Sequence, residues 1–132
     1  MKLYLDSSAI VKLVQQEPES EALRRFLKQH TDDTFVTSAL ARVEVVRAVL
    51  AGGSHAIGQA RRQLARLDQL VLSPDLLDRA ATLAPAGKLR SHDAIHMAAA
   101  QVVGEELRAV VTYDGRMAGA ARDLGLEVAA PI

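Results

Sequence analysis

The stretch Lys2-Leu3-Tyr4-Leu5-Asp6-Ser7-Ser8-Ala9-Ile10-Val11-Lys12-Leu13 decides how the rest of the chain is read. Leu3-Tyr4-Leu5 is an apolar run long enough for a short buried strand. Ala9 to Val14 can continue as a helix. Between them stand an acid and two hydroxyls. In open α/β sheets, ligands bind just beyond the carboxyl ends of the strands, and Asp6 occupies that kind of position. Asp and Ser are also common helix caps, so this stretch alone favours capping. Three later acids reverse that judgement.

The chain has 132 residues, so one domain over 1–132 is expected. At this size roughly two thirds of the unfolded surface is buried. With 49% hydrophobic residues a core forms without staples, and with only 3% aromatics that core must be Leu, Val, Ile and Ala. There is no Cys, which excludes disulfides, thiolate metal sites and Cys nucleophiles together. Sixteen basic residues balance sixteen acidic ones, which argues against global attraction to nucleic acid but leaves room for a local basic rim. The apolar run before Asp6 is too short for a signal peptide. No uninterrupted apolar run approaches the roughly 20 residues of a spanning helix. A soluble, cytoplasmic protein with no membrane partner is expected.

Working outward, Pro18 suits a first helical position, and Ala22, Leu23, Phe26 and Leu27 form a helical apolar stripe. Asp32-Asp33 reads as a turn and Thr34-Phe35-Val36-Thr37 as a strand. Ser38 can cap a third helix running through Leu50, with Leu40, Val43, Val46 and Leu50 on one face, ended by Gly52-Gly53. Ile57, Ala60, Leu64 and Leu67 mark a fourth helix, and Leu70-Val71-Leu72 a short strand. Ser73-Pro74 starts a fifth helix through Leu83, and Pro85-Ala86-Gly87 breaks the chain. Ser91, His92 and Asp93 precede a small-residue helix, Ala94 to Val103, closed by Gly104. Ala109 to Thr112 is the next strand. Asp114 and Gly115 turn it into a helix through Leu124, which Gly125 stops, and Leu126 to Ala129 is a weak last strand. Strands alternating with helices predict an α/β fold, a parallel sheet covered on both faces.

Four acids stand where a surface role explains them poorly. Asp6 and Asp114 each follow a strand, so both should lie at the same edge of a parallel sheet. Asp93 opens the Ala-rich helix. Glu44 lies among Leu40, Ala41, Val43, Val45 and Val46, and a carboxylate near an apolar face needs a partner. Arg47 or Arg42 could be that partner, and capping remains open for Asp93 and Asp114. If the four converge they repel one another and raise each other's pKa unless a cation is present. Oxygen ligands without Cys favour Mg²⁺, with Mn²⁺ as the substitute. A hard divalent ion among carboxylates is suited to phosphodiester hydrolysis.

Taken together, Leu3-Tyr4-Leu5-Asp6-Ser7-Ser8-Ala9, the helix carrying Glu44, Leu89-Arg90-Ser91-His92-Asp93-Ala94-Ile95-His96 and Val111-Thr112-Tyr113-Asp114 resemble the PIN domain. More narrowly they resemble the toxin ribonucleases of VapBC-type toxin–antitoxin modules, over essentially the whole chain. The resemblance implies a PIN-like three-layer α/β/α fold with sheet order 3-2-1-4-5. It also implies a metal-dependent endoribonuclease that cleaves RNA, a homodimer and a small antitoxin protein that blocks the site. Asp6 and Asp93 would hold the metal most directly, Glu44 and Asp114 would complete the cluster, and Ser7 and Thr112 are the small hydroxyls beside it.

His92 and His96 flank Asp93, and the oxygen preference of Mg²⁺ points them to packing or supporting roles. Lys88, Arg90 and Arg116 stand next to the acids and suit RNA phosphates, as do Arg61, Arg62 and Arg66, although solvated helix faces use the same side chains. Tyr4 reads as structural. Haloacid-dehalogenase phosphatases need a second Asp where Ser8 stands. Response-regulator receivers need one where Ser73 stands. A catalytically silent PIN-fold module that binds RNA or protein is the remaining alternative, and retention of all four acids argues against it.

Overall fold

The structure is a computed structural model that describes residues 1–83 and 89–132. Among the described residues five parallel strands form one sheet in the order β3-β2-β1-β4-β5. They are β1 (Lys2–Leu5), β2 (Thr34–Ser38), β3 (Asp68–Leu70), β4 (Leu107–Val111) and β5 (Val128–Ala129). β1 is central, with Tyr4 in register with Val36 on one side and Val110 on the other. This is the order the resemblance implies.

Period-two alternation sends Leu3 and Leu5 to one face of the sheet and Tyr4 to the other. On the Leu3 face lie α1 (Ser7–Val14), α2 (Ser20–Lys28), α3 (Ala41–Val49) and α4 (Gly53–Ala65), which supply Ile10, Leu23, Leu27, Val45, Val49 and Leu64 to one core. On the Tyr4 face lie α5 (Pro74–Ala81), α6 (Ser91–Val103) and α7 (Gly115–Asp123), with Leu76, Met97, Met117 and Ala121 in the other. Both faces are covered, which is why the central strands read as unbroken apolar runs. In α6, Ala98, Ala99 and Ala100 are wholly buried. Gly104 (φ 71°) and Gly125 (φ 77°) close α6 and α7 in the left-handed region that only glycine enters cheaply.

Several expected boundaries move. Ser38 is the last residue of β2 and does not cap α3, whose N-cap is Leu40 with no side-chain cap bond. The stripe expected from Leu40, Val43, Val46 and Leu50 is not the core face: Ala41, Val45 and Val49 are buried, while Val43 is 57% and Leu50 50% exposed. The buried face includes the small Ala41, whereas the apolar side chains at 43 and 50 point to solvent. Leu70-Val71-Leu72 overlaps β3 by one residue only, because the strand pairs Asp68, Gln69 and Leu70 with Val36, Thr37 and Ser38. Val71 is 76% exposed. Helix α2 starts at Ser20 and not at Pro18, α5 ends at Ala81, and β4 begins at Leu107. The break expected at Pro85-Ala86-Gly87 lies outside the described residues.

The close seat of α6 leads to a stability prediction. Ala99→Leu adds volume where none is free and should cost about 1–3 kcal/mol. Urea unfolding should show a lower midpoint at an unchanged slope. An unchanged midpoint would mean that α6 does not pack this tightly.

Candidate active site

The site is assembled at the carboxyl edge of the sheet. Beyond β1 the backbone N–H of Asp6 still bonds to the Val111 carbonyl at 3.2 Å, so Asp6 stays tied to β4. Its carboxylate is both a cap and part of the site. Oδ1 accepts from the Ala9 N–H at 3.0 Å, capping α1, and from Ser8 Oγ at 2.6 Å, while Oδ2 accepts from Thr112 Oγ1 at 2.5 Å. Asp6 is only 2% exposed. Burial pushes its carboxyl up, and the bonds from Ser8 and Thr112 oppose that without cancelling it.

Asp114 follows β4 and caps α7, its Oδ1 accepting from the N–H groups of Arg116 and Met117. Its own N–H donates to Thr112 Oγ1 at 3.1 Å, so one threonine joins Asp6 to Asp114. Asp93 does not cap. It lies in the first turn of α6, whose N-cap is Arg90, and is 1% exposed. Arg90 meets that buried charge: Nε donates to Asp93 Oδ2 at 2.9 Å, and Nη2 to Asp93 Oδ1 at 3.3 Å and Asp114 Oδ2 at 3.0 Å.

Glu44 comes from the first turn of α3. Its partner is neither Arg42 nor Arg47. Oε1 accepts from Ser7 Oγ at 2.7 Å and bonds to His96 Nε2 at 2.6 Å. Partial burial pushes the Glu44 carboxyl up, but the His96 and Ser7 contacts together outweigh it and hold it below the usual glutamate range. His96, buried at 1%, bonds through Nδ1 to the Tyr4 hydroxyl at 2.7 Å. Burial pushes the Tyr4 phenol up.

Asp6, Glu44, Asp93 and Asp114 line one cleft of about 110 Å³, together with Ser7, Ser8, Arg90, His92, His96 and Met117. A larger hollow of about 290 Å³, floored by Leu5, Leu27, Phe35 and Leu67, is lined by no acid. The donor chemistry of the cleft, carboxylates and hydroxyls without thiols, fits a hard divalent cation. In the present arrangement Arg90 supplies the compensating charge. Among the described residues no three acidic or histidine side chains are placed to grip one ion.

Arg90, one of the basic residues suited to RNA phosphates, is seated on Asp93 and Asp114. Arg61 and Arg62 on α4 and Arg66 just past its end are exposed and do not line the cleft, Arg116 is exposed beyond Asp114, and Lys88 lies outside the described residues. The sequence reading passed over Ser8, which bonds Asp6 and accepts the Tyr113 N–H at 3.0 Å, and over the tie between Tyr4 and His96.

Against known proteins, the PIN domain model matches residues 3–123. The chain is 53% identical over 129 residues to Ribonuclease VapC46 of Mycobacterium tuberculosis, covering 98% of this chain and 97% of that protein. It is 43% identical over 131 residues to Ribonuclease VapC35 of the same species, covering 98% and 96%. Among solved structures, a toxin-antitoxin complex from Klebsiella pneumoniae aligns with a TM-score of 0.71 at 20% identity, covering 98% of each chain. Mycobacterium tuberculosis VapC20, described as a sarcin-ricin loop cleaving toxin, aligns with a TM-score of 0.73 at 18% identity, covering 89% of this chain and 94% of that one. At these identities the two structures speak to the fold.

The buried Asp6 charge has a measurable consequence. Its folded pKa is raised, so the group's contribution to stability is fully present below its ordinary value of 3.8 and is lost as pH rises through the raised value. In chelator, Asp6→Asn should therefore melt higher than wild type at pH 7, with the gap closing as pH falls toward 4. Each 1 kcal/mol of relief corresponds to about 3–6 °C. Melting curves that coincide across this range would show that the buried charge carries no penalty.

Proposed function

Because the chain belongs to the PIN-domain family, among its VapC ribonucleases, we propose that it is an endoribonuclease toxin acting as one domain over 1–132. It hydrolyses phosphodiester bonds in RNA with Mg²⁺, or Mn²⁺ in its place, and is held in check by a small cognate antitoxin. The observation that carries this reading is the single cleft edged by Asp6, Glu44, Asp93 and Asp114.

Asp6 and Asp93 would hold the cation most directly, with Glu44 and Asp114 completing the set. A divalent ion there would offset the repulsion among the carboxylates and the charge that develops on the phosphate. Arg90, seated on Asp93 and Asp114, would have to leave those oxygens for a cation to bind them, and with Arg116 it is suited to RNA phosphates. Water held among the carboxylates attacks the phosphorus in line. Glu44 is suited to take its proton, because it is kept ionised and its two bonds both fall on Oε1. The leaving 3′ oxygen takes up a proton, giving 3′-hydroxyl and 5′-phosphate ends. No side chain acts as nucleophile, in keeping with a chain that has no Cys.

The test is to incubate purified protein with total cellular RNA, in Mg²⁺ or in chelator, and map the new termini. The expected result is Mg²⁺-dependent cleavage with 5′-phosphate ends, reduced roughly 100-fold or more in Asp93→Asn. Cleavage that persists in chelator and in Asp93→Asn, or that leaves cyclic phosphates, would overturn the mechanism. No cleavage of any RNA would favour the silent binding module.

We also propose a homodimer. The alanines of α6 are used up inside the protomer, but Val43 on α3, Leu50 just past it, Leu77 on α5 and Val102 on α6 remain exposed. Light scattering at micromolar concentration should give twice the 14.2 kDa chain mass. A monomer under those conditions would contradict this assembly.

A further inference from the structure

The buried histidine of α6 is not used by the reaction as written, yet its surroundings are more specific than packing requires. Tyr4 is completely buried, and its hydroxyl lies 2.7 Å from His96 Nδ1. The two rings meet edge to face, with centroids 5.8 Å apart and planes at 78°. The other ring nitrogen, Nε2, lies 2.6 Å from Glu44 Oε1. A chain of hydrogen bonds thus runs from the middle of the sheet, through α6, to the acid carried by α3.

The direction of the chain follows from where each proton can go. A buried phenol proton must find an acceptor. The buried hydroxyls of Ser38 and Thr37 lie close enough to favour the ionised phenol, but among the described residues neither makes a hydrogen bond of normal geometry, so the acceptor at bonding distance is His96 Nδ1. The ring proton must then sit on Nε2, where it donates to the Glu44 carboxylate.

We infer that His96, with Tyr4 behind it, is a positioning residue for Glu44. Tyr4 occupies Nδ1, the Nε2–H holds Oε1, and Ser7, whose Oγ lies 3.4 Å from Nε2, holds the same oxygen at 2.7 Å. Glu44 needs this support more than Asp6 and Asp93. Those two are short side chains, 2% and 1% exposed, whereas the longer Glu44 side chain is 24% exposed. Asp93 and His96 are three residues apart on α6, so one helix face both supplies an acid to the cleft and anchors another. The catalytic consequence rests on the nuclease reading above. The hydrogen-bond chain does not.

The experiment uses the full-length protein. Long-range ¹⁵N NMR of the imidazole rings in chelator should show His96 as the Nε2–H tautomer, with the Nδ1 resonance shifting in Tyr4→Phe as its hydrogen bond is lost. Tyr4→Phe keeps the ring and hence the packing, which covers the case in which a His96 variant fails to fold. In cleavage assays His96→Leu should lower kcat about 10–100-fold with KM for RNA unchanged, the range found for partners of metal-site ligands. His96→Gln, which keeps an N–H donor, should recover part of that loss. In a Glu44→Gln background His96→Leu should cost nothing further. An Nδ1–H tautomer in wild type would overturn the proposal, as would equal losses from His96→Leu with and without the Glu44 carboxylate. An Nε2–H tautomer in a protein that cleaves no RNA would support the hydrogen-bond chain and refute the nuclease reading instead.

Discussion

The Asp6 carboxylate is buried where β1 ends, between the first turn of α1 and the hydroxyl of Thr112 at the end of β4. A charge in that place is disfavoured by desolvation. It is tolerated because every neighbouring element supplies something: a backbone N–H and the positive end of a helix from α1, one hydroxyl from Ser8, another from the adjacent strand. Those donors exist only if β1 and β4 are neighbours in register and α1 leaves the sheet at once. The parallel order of the sheet and the position of this carboxylate therefore depend on each other. A second strand-end acid, Asp114, is brought alongside because its N–H shares Thr112.

The other two acids come from helices and are held differently. Asp93 is fixed by burial and by the guanidinium of Arg90, which it shares with Asp114. Glu44 is fixed by Ser7 and by the His96 to Tyr4 chain. Formal charge over the whole chain is balanced, yet the acids are gathered at one edge of the sheet. Arg90 neutralises that edge in part, with a side chain 45% exposed, whereas His96, which orients Glu44, is 1% exposed. Positive charge in the cleft is thus supplied by an exposed arm, and the orientation of Glu44 by buried groups.

Much of this was legible in the sequence. Strand-end acids and the apolar runs before them locate the sheet edge, since β1 and β4 are buried on both faces and carry little surface pattern to mislead. Edge and cover elements were harder. β3 has only three paired residues, one of them Asp68, so the more apolar Leu70-Val71-Leu72 looked the better strand. On α3 the buried positions are Ala41, Val45 and Val49, while Val43 and, just past the helix end, Leu50 face outward, although hydrophobicity alone would bury both. The role of Tyr4 left a signal that went unused. Tyr4 and Asp6 are two apart along an extended segment, and Asp93 and His96 are three apart on a helix. Each pair shares a face, so an aromatic hydroxyl and an imidazole belonged beside the acids. The seat of Arg90 left no such signal, because a basic residue next to an acid site serves substrate and counter-ion roles with the same side chain.

We propose that the four carboxylates form one cation site in which a metal and Arg90 exclude each other. Diffraction at the manganese absorption edge from crystals soaked in Mn²⁺ tests it most directly. The account predicts an anomalous peak within roughly 2–2.5 Å of oxygens from Asp6 and Asp93, with Arg90 withdrawn from Asp93. A peak located elsewhere, or Arg90 still seated on Asp93 and Asp114 in metal-loaded crystals, would contradict it.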